Sequence, residues 1–85
     1  MERPDGSRVR VAVLTPRQRA VLDELMADGA DDETIGRRLG MHRYTVANHL
    51  SRIKAAAGAT TTRKLIIGLA RQQIVVRMAD RKKRR

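Results

Sequence analysis

At 85 residues the chain has room for one small domain with short extensions and not for two cores. Nineteen Lys and Arg against nine Asp and Glu give a formal charge of +10, which points to an acidic partner such as nucleic acid or an anionic membrane surface, against the plainer reading of a well-solvated surface. With no Cys there is neither a disulfide framework nor a cysteine zinc site, and the redox compartment stays open. No apolar run approaches the roughly 20 residues of a membrane span, and no signal-peptide core follows the first Met, so the protein is expected to stay soluble where it is made. The one aromatic, Tyr44, is too few for the stacked rings of a single-strand binder. Duplex DNA or structured RNA is the expected target class.

Residues 1–7, MERPDGS, mix Pro, Gly and Ser with charges and predict a loose arm. The following RVRVAVL alternates basic and β-branched residues with the period of an extended segment, and IVVRM near the other end is a second β-branched run. The two could pair; the alternative is a coil at the front and a continued helix at the back.

At LTPRQ, Thr15 offers an N-cap oxygen, Pro16 suits the first helical position and Gln18 completes a capping box. The first helix starts here, with Val21, Leu22, Leu25 and Met26 on one face and Gly29 as its stop. Asp31 caps a short second helix, DETIGRRL, whose acidic first turn complements the helix dipole and whose Ile35 and Leu39 share a face. Gly40 suits the turn to a third helix with Val46, Leu50, Ile53 and Ala57 on its inner side, so the second and third helices form a helix-turn-helix pattern. Gly58 ends the third helix, and a Thr run at 60–62 opens a fourth containing Leu65, Ile66 and Leu69. The chain closes on RKKRR. The expected organisation is an N-terminal arm (1–13), an all-α four-helix domain (14–76) with short extended segments at the ends, and a basic C-terminal tail (77–85).

On a wheel of 100° per residue, Leu50, Ile53 and Ala57 lie within about 40° of Val46, so Tyr44, Ala47, Asn48 and Ser51 point away from the core. Small side chains there let the helix approach base edges in a major groove. Asn48 can read an adenine bidentately, Tyr44 and Ala47 can touch a thymine methyl, and Ser51 can pair with either kind of edge. Arg43, Arg52 and Lys54 flank this face and suit phosphates. A solvated helix face is the bland alternative. Against it, the stretch 37–54 has five basic residues and no acid, while Asp28, Asp31, Asp32 and Glu33 gather just before it.

The pieces LTPR, DG-x-DDETIGRRLGM and TV-x-NHLSRI together resemble the DNA-binding domain of the LuxR/GerE family of bacterial transcription regulators, over about two-thirds of the chain from Leu14 to Ala70. The resemblance implies a four-helix fold whose third helix enters the major groove of duplex DNA and whose fourth commonly forms the dimer contact. His49 matches the motif's His, where a packed or phosphate-contacting role is expected, and Thr45 is a further candidate phosphate contact. Family members usually carry Glu where Gln18 stands, often a Ser cap where His42 stands, and frequently Lys at Ala47, so no operator sequence is carried over.

Family members usually have a receiver or ligand-sensing domain ahead of this unit; here 13 residues precede Leu14. No phosphoacceptor or small-molecule pocket is visible, and regulation is expected to come from abundance, a partner or oligomerisation. Ile67, Ala70 and Ile74 lie partly off the Leu65/Ile66/Leu69 face and are expected in a two-fold dimer made by the fourth helix, the alternative being simple packing of that helix on the first. Residues 71–85 hold seven basic residues and one acid, Asp80. Within them Arg81, Lys82, Lys83, Arg84 and Arg85 could lie along phosphates or serve only as a solubilising tail.

An enzyme is not expected, since the carboxylates fall on caps and surface positions, each His stands alone, and no phosphate-cradling glycine loop is present. No metal or cofactor is expected either. The expected function is sequence-specific duplex DNA binding by a transcription regulator of bacterial or phage origin, cytoplasmic and nucleoid-associated, with RNA polymerase as a further candidate partner. The alternatives are a sigma-factor region-four-like module and a DNA-binding assembly protein such as a phage packaging component.

Overall fold

The computed structural model describes residues 8–79. Six elements follow in order: β1 (Arg10–Leu14), α1 (Pro16–Asp28), α2 (Asp32–Leu39), α3 (Arg43–Ala57), α4 (Thr62–Ala70) and β2 (Ile74–Met78). All four helices start on local chemistry, and the first three also stop on it. Thr15 Oγ1 accepts the Gln18 amide N–H at 3.2 Å while Gln18 Oε1 accepts the Thr15 amide N–H at 2.9 Å, closing the capping box in front of Pro16. Asp31 caps α2 by accepting the Thr34 N–H at 2.8 Å, and Thr61 caps α4 by accepting the Lys64 N–H at 3.0 Å. Gly29, Gly40 and Gly58 end the first three helices at φ of 67°, 70° and 68°.

The two extended runs pair in parallel, Arg10 opposite Ile74 and Leu14 opposite Met78. Parallel neighbours need a long crossover, and here the whole four-helix unit supplies it. The pairing is closed at one end by the Arg10 N–H donating to the Gln73 carbonyl at 2.9 Å and at the other by the Ala79 N–H donating to the Leu14 carbonyl at 2.7 Å. A two-stranded sheet is marginal alone. This one is held because Ala12, Leu14 and Ile74 turn their side chains into the common core. The domain therefore begins inside the segment expected as an arm, since residues 10–13 form a strand, and it continues through Met78, beyond the expected boundary at 76. The loose arm read for residues 1–7 lies outside the described residues.

The core joins Val21, Leu22 and Leu25 of α1 and Ile35 of α2 to the α3 stripe and to Leu65 of α4. Two expectations about apolar residues are corrected. Met26 stays 41% exposed, because it sits about 100° around the helix from Leu25, at the edge of the buried stripe. Ile74 is not on the fourth helix. That helix ends at Ala70, Gln72 takes a left-handed φ of 59°, and the reversed chain drops Ile74 onto Gly68, where a Cβ would collide with the Ile74 side chain. Ile74 is buried inside the protomer, so little of its surface is open to a second copy.

The turn between α2 and α3 is drawn tight at Gly36. The Met41 N–H donates to the Gly36 carbonyl at 2.9 Å, and a Cβ at position 36 would collide with the Met41 carbonyl oxygen. Gly36→Ala should lower the stability by about 1–2 kcal/mol in urea denaturation, because overpacking against backbone outweighs the roughly 1 kcal/mol that Ala otherwise gains in a helix. A variant as stable as the parent would show that the turn can yield.

Candidate nucleic-acid interface

The geometry of α3 follows from its inner stripe. Val46 and Ile53 are wholly buried and Leu50 and Ala57 nearly so, packed against α1, α2 and β1. Fixing that stripe fixes what faces outward. Tyr44, Ala47, Asn48 and Ser51 are all exposed and share one surface, Tyr44 at 70% of its area. Asn48 and Ser51 make no hydrogen bond with any described residue, so their polar atoms are available to a partner. Of the expected phosphate contacts, Arg43, Thr45 and Arg52 are exposed around this surface, whereas Lys54 and His49 are half-buried. His49 Nδ1 is buried without a hydrogen-bond partner, so the ring belongs partly to the packing.

The N-terminus of α3 is organised by a residue that sequence reasoning noted only as a departure from a Ser. His42 is the N-cap, its Nδ1 accepting the Tyr44 N–H at 3.1 Å. The His42 and Tyr44 rings lie 4.9 Å apart at a tilt of 37°, and the Arg43 guanidinium stands 5.3 Å from the Tyr44 ring centre. Arg43 also reaches Glu33 at 4.0 Å, and Arg37 reaches the same carboxylate at 3.6 Å. At the other end of α3, Arg10 of β1 lays its guanidinium against Gly58, where a cation suits the negative end of the helix dipole. No local pattern points to that contact, because it depends on β1 reaching the far end of α3.

Behind the outward face, α1 and α2 are tied by Arg38. Its Nη1 and Nη2 donate to the two Asp28 carboxylate oxygens at 3.2 and 2.9 Å, and Nη1 also donates to Glu24 at 3.1 Å. Of the acids that gather before α3, Asp28 and Glu33 are thus engaged with arginines and Asp31 with the Thr34 amide, while Arg52 has no ion-pair partner among the described residues. Charge is divided by role: acids brace the first two helices, and of the cations that flank α3 only Arg43 is shared with an acid among the described residues, Glu33.

The expected dimer residues are split. Ile67 and Ala70 are exposed on α4, Ile67 at 36%, while Ile74 lies in β2. Residues 81–85 lie outside the described residues. Among the described residues no helix is long and apolar enough to cross a membrane, and no group of three or more His, Asp or Glu could hold a metal ion.

Residues 12–69 match the family model of bacterial regulatory proteins of the luxR family. The chain belongs to that family. LuxR-family membership makes it a DNA-binding regulatory protein with duplex DNA as partner, and it places the helix-turn-helix of α2 and α3 inside the matched segment, with β2 beyond it. No curated protein and no solved structure matches the chain.

The brace of this LuxR-family domain is acid-sensitive. The Arg38 guanidinium hydrogen-bonded to Asp28 holds that carboxyl below its ordinary value of 3.8, and the Thr34 amide does the same for Asp31. A carboxyl whose pKa is lowered by folding stabilises the fold fully above the unfolded value, and the contribution is lost as pH falls through the folded value. The melting temperature should therefore fall more between pH 6 and pH 3 for the parent than for Asp28→Asn; equal falls would remove Asp28 from the account.

Proposed function

We propose that this protein is a sequence-specific transcription regulator that binds duplex DNA as a two-fold dimer, with α3 in the major groove. The observation that carries the reading is the outward face of α3, where Tyr44, Ala47, Asn48 and Ser51 lie together, exposed, on a helix whose opposite stripe is fully consumed by the core. Asn48 pairs with an adenine edge, Tyr44 and Ala47 lie against thymine methyls, and Ser51 takes a neighbouring edge. Arg43, Thr45, His49, Arg52 and Lys54 hold the flanking phosphates and set the register. The basic residues Arg81, Lys82, Lys83, Arg84 and Arg85 add affinity that is independent of sequence.

Ile67 and Ala70 on α4 form the dimer contact, without Ile74. In this reading the protein acts in the cytoplasm at the nucleoid, and RNA polymerase is the partner through which it changes transcription. Support comes from the family and from the division of charge, with acids bracing α1 and α2 and Arg52 and Lys54 on α3 left without an acid partner among the described residues.

Selection of a random duplex library at near-physiological salt, with Asn48→Ala in parallel, tests this. The parent should enrich a two-fold motif, and the variant should lose preference at one position per half-site, a cost of about 1–3 kcal/mol there. If neither enriches a motif while both bind with a steep salt dependence, charge alone is the function, and a packaging or architectural role replaces regulation.

A further inference from the structure

His42 does more than end a turn. Because Nδ1 accepts the Tyr44 N–H at 3.1 Å, the neutral imidazole must carry its proton on Nε2. The ring cannot swing freely: the cap bond holds one edge, and the Tyr44 ring 4.9 Å away lies beside it. The side chain is exposed, and Nε2 has no hydrogen-bond partner among the described residues. The nearby acid does not claim it, since the Glu33 carboxylate is shared by Arg37 and Arg43. The result is a fixed, neutral N–H donor at the leading end of α3, on a helix whose first turn has no acidic residue.

In helix-turn-helix proteins the leading residues of the second helix contact base edges, so the residue just before them lies at the groove's rim, beside the sugar-phosphate backbone. We infer that His42 is a further DNA-binding residue, donating from Nε2 to a phosphate oxygen while Nδ1 caps α3. The inference rests on the proposed entry of α3 into the major groove. It assigns His42 two simultaneous bonds, one to its own helix and one to DNA, so that binding DNA also anchors the ring against which Tyr44 is set.

The two roles separate by substitution. Ser is as good an N-cap as any residue, so His42→Ser keeps an oxygen for the Tyr44 N–H and removes the far-reaching Nε2 donor, leaving only a hydroxyl held close to the backbone; His42→Ala deletes both. Binding of full-length protein to a mixed-sequence duplex, followed by fluorescence anisotropy across a salt series, should show His42→Ser weaker by roughly three- to tenfold, with parent-like melting. Its slope of log affinity against log salt should equal the parent's, because a neutral donor releases no counterion, whereas Arg52→Ser should flatten the slope by about one ion.

His42→Ser binding as tightly as the parent would overturn the inference and leave a cap alone. A flattened slope for His42→Ser would overturn it too, since the contact would then be that of a cation. If His42→Ser melts lower, His42→Asn, another strong cap that presents an amide N–H, should melt like the parent and recover part of the affinity; no recovery would count against a donor role. A parent that fails to bind duplex in a salt-dependent way would instead sink the groove-entry reading, an outcome distinct from a parent that binds and a Ser variant that binds equally well.

Discussion

The close approach of α2 to its following turn is the constraint on which the rest depends. Gly36 has no side chain, so the Met41 carbonyl can lie directly on the helix, and the Met41 N–H returns a hydrogen bond to the Gly36 carbonyl. That contact leaves only residues 40–42 between the two helices and fixes where α3 begins. Once its start is fixed, burial of Val46, Leu50, Ile53 and Ala57 fixes its rotation, and the outward face follows as the complement of the buried one. The interface is thus a consequence of packing rather than an addition to it.

The parallel clasp of β1 and β2 reinforces the same helix from behind. Its inner residues Ala12 and Leu14 enter the core that α3 shares, and Arg10 sits at the carboxyl end of α3. A small core gains from closing the chain ends over it, because each buried aliphatic side chain is worth roughly 1.5–3 kcal/mol, a large part of the margin in a domain of this size. The clasp also sets Ala79 beside Leu14, at the start of α1, while the Arg10 guanidinium reaches Gly58.

Much of this was legible in the sequence because it is local. Thr15 with Gln18, Asp31 before an acidic turn, and the three closing glycines each mark a helix end by chemistry within four residues, and the α3 stripe declares its own inside and outside. What was not legible is what depends on distant partners. That RVRVAVL and IVVRM could pair was legible from their β-branched runs, but not that they pair in parallel, and the apolar spacing of α4 continues past its true end because Gln72 gives none of the signals a glycine would. Met26 shows the converse: its position along α1 suggests burial, but the fold covers it only in part. At the interface, the outward residues were found by exclusion from the core, whereas the double use of His42 needed the distance from Nδ1 to the Tyr44 amide.

If DNA meets this protein on the outward face of α3, amide NMR shifts during titration with a short duplex should map there. The largest changes should fall among residues 42–54, at the outward positions Tyr44, Ala47, Asn48 and Ser51 and the flanking Arg43 and Arg52, with little change along the acidic side of α1 at Asp23 and Asp28. Shifts spread over the basic surface with the outward face of α3 unmoved would contradict that contact.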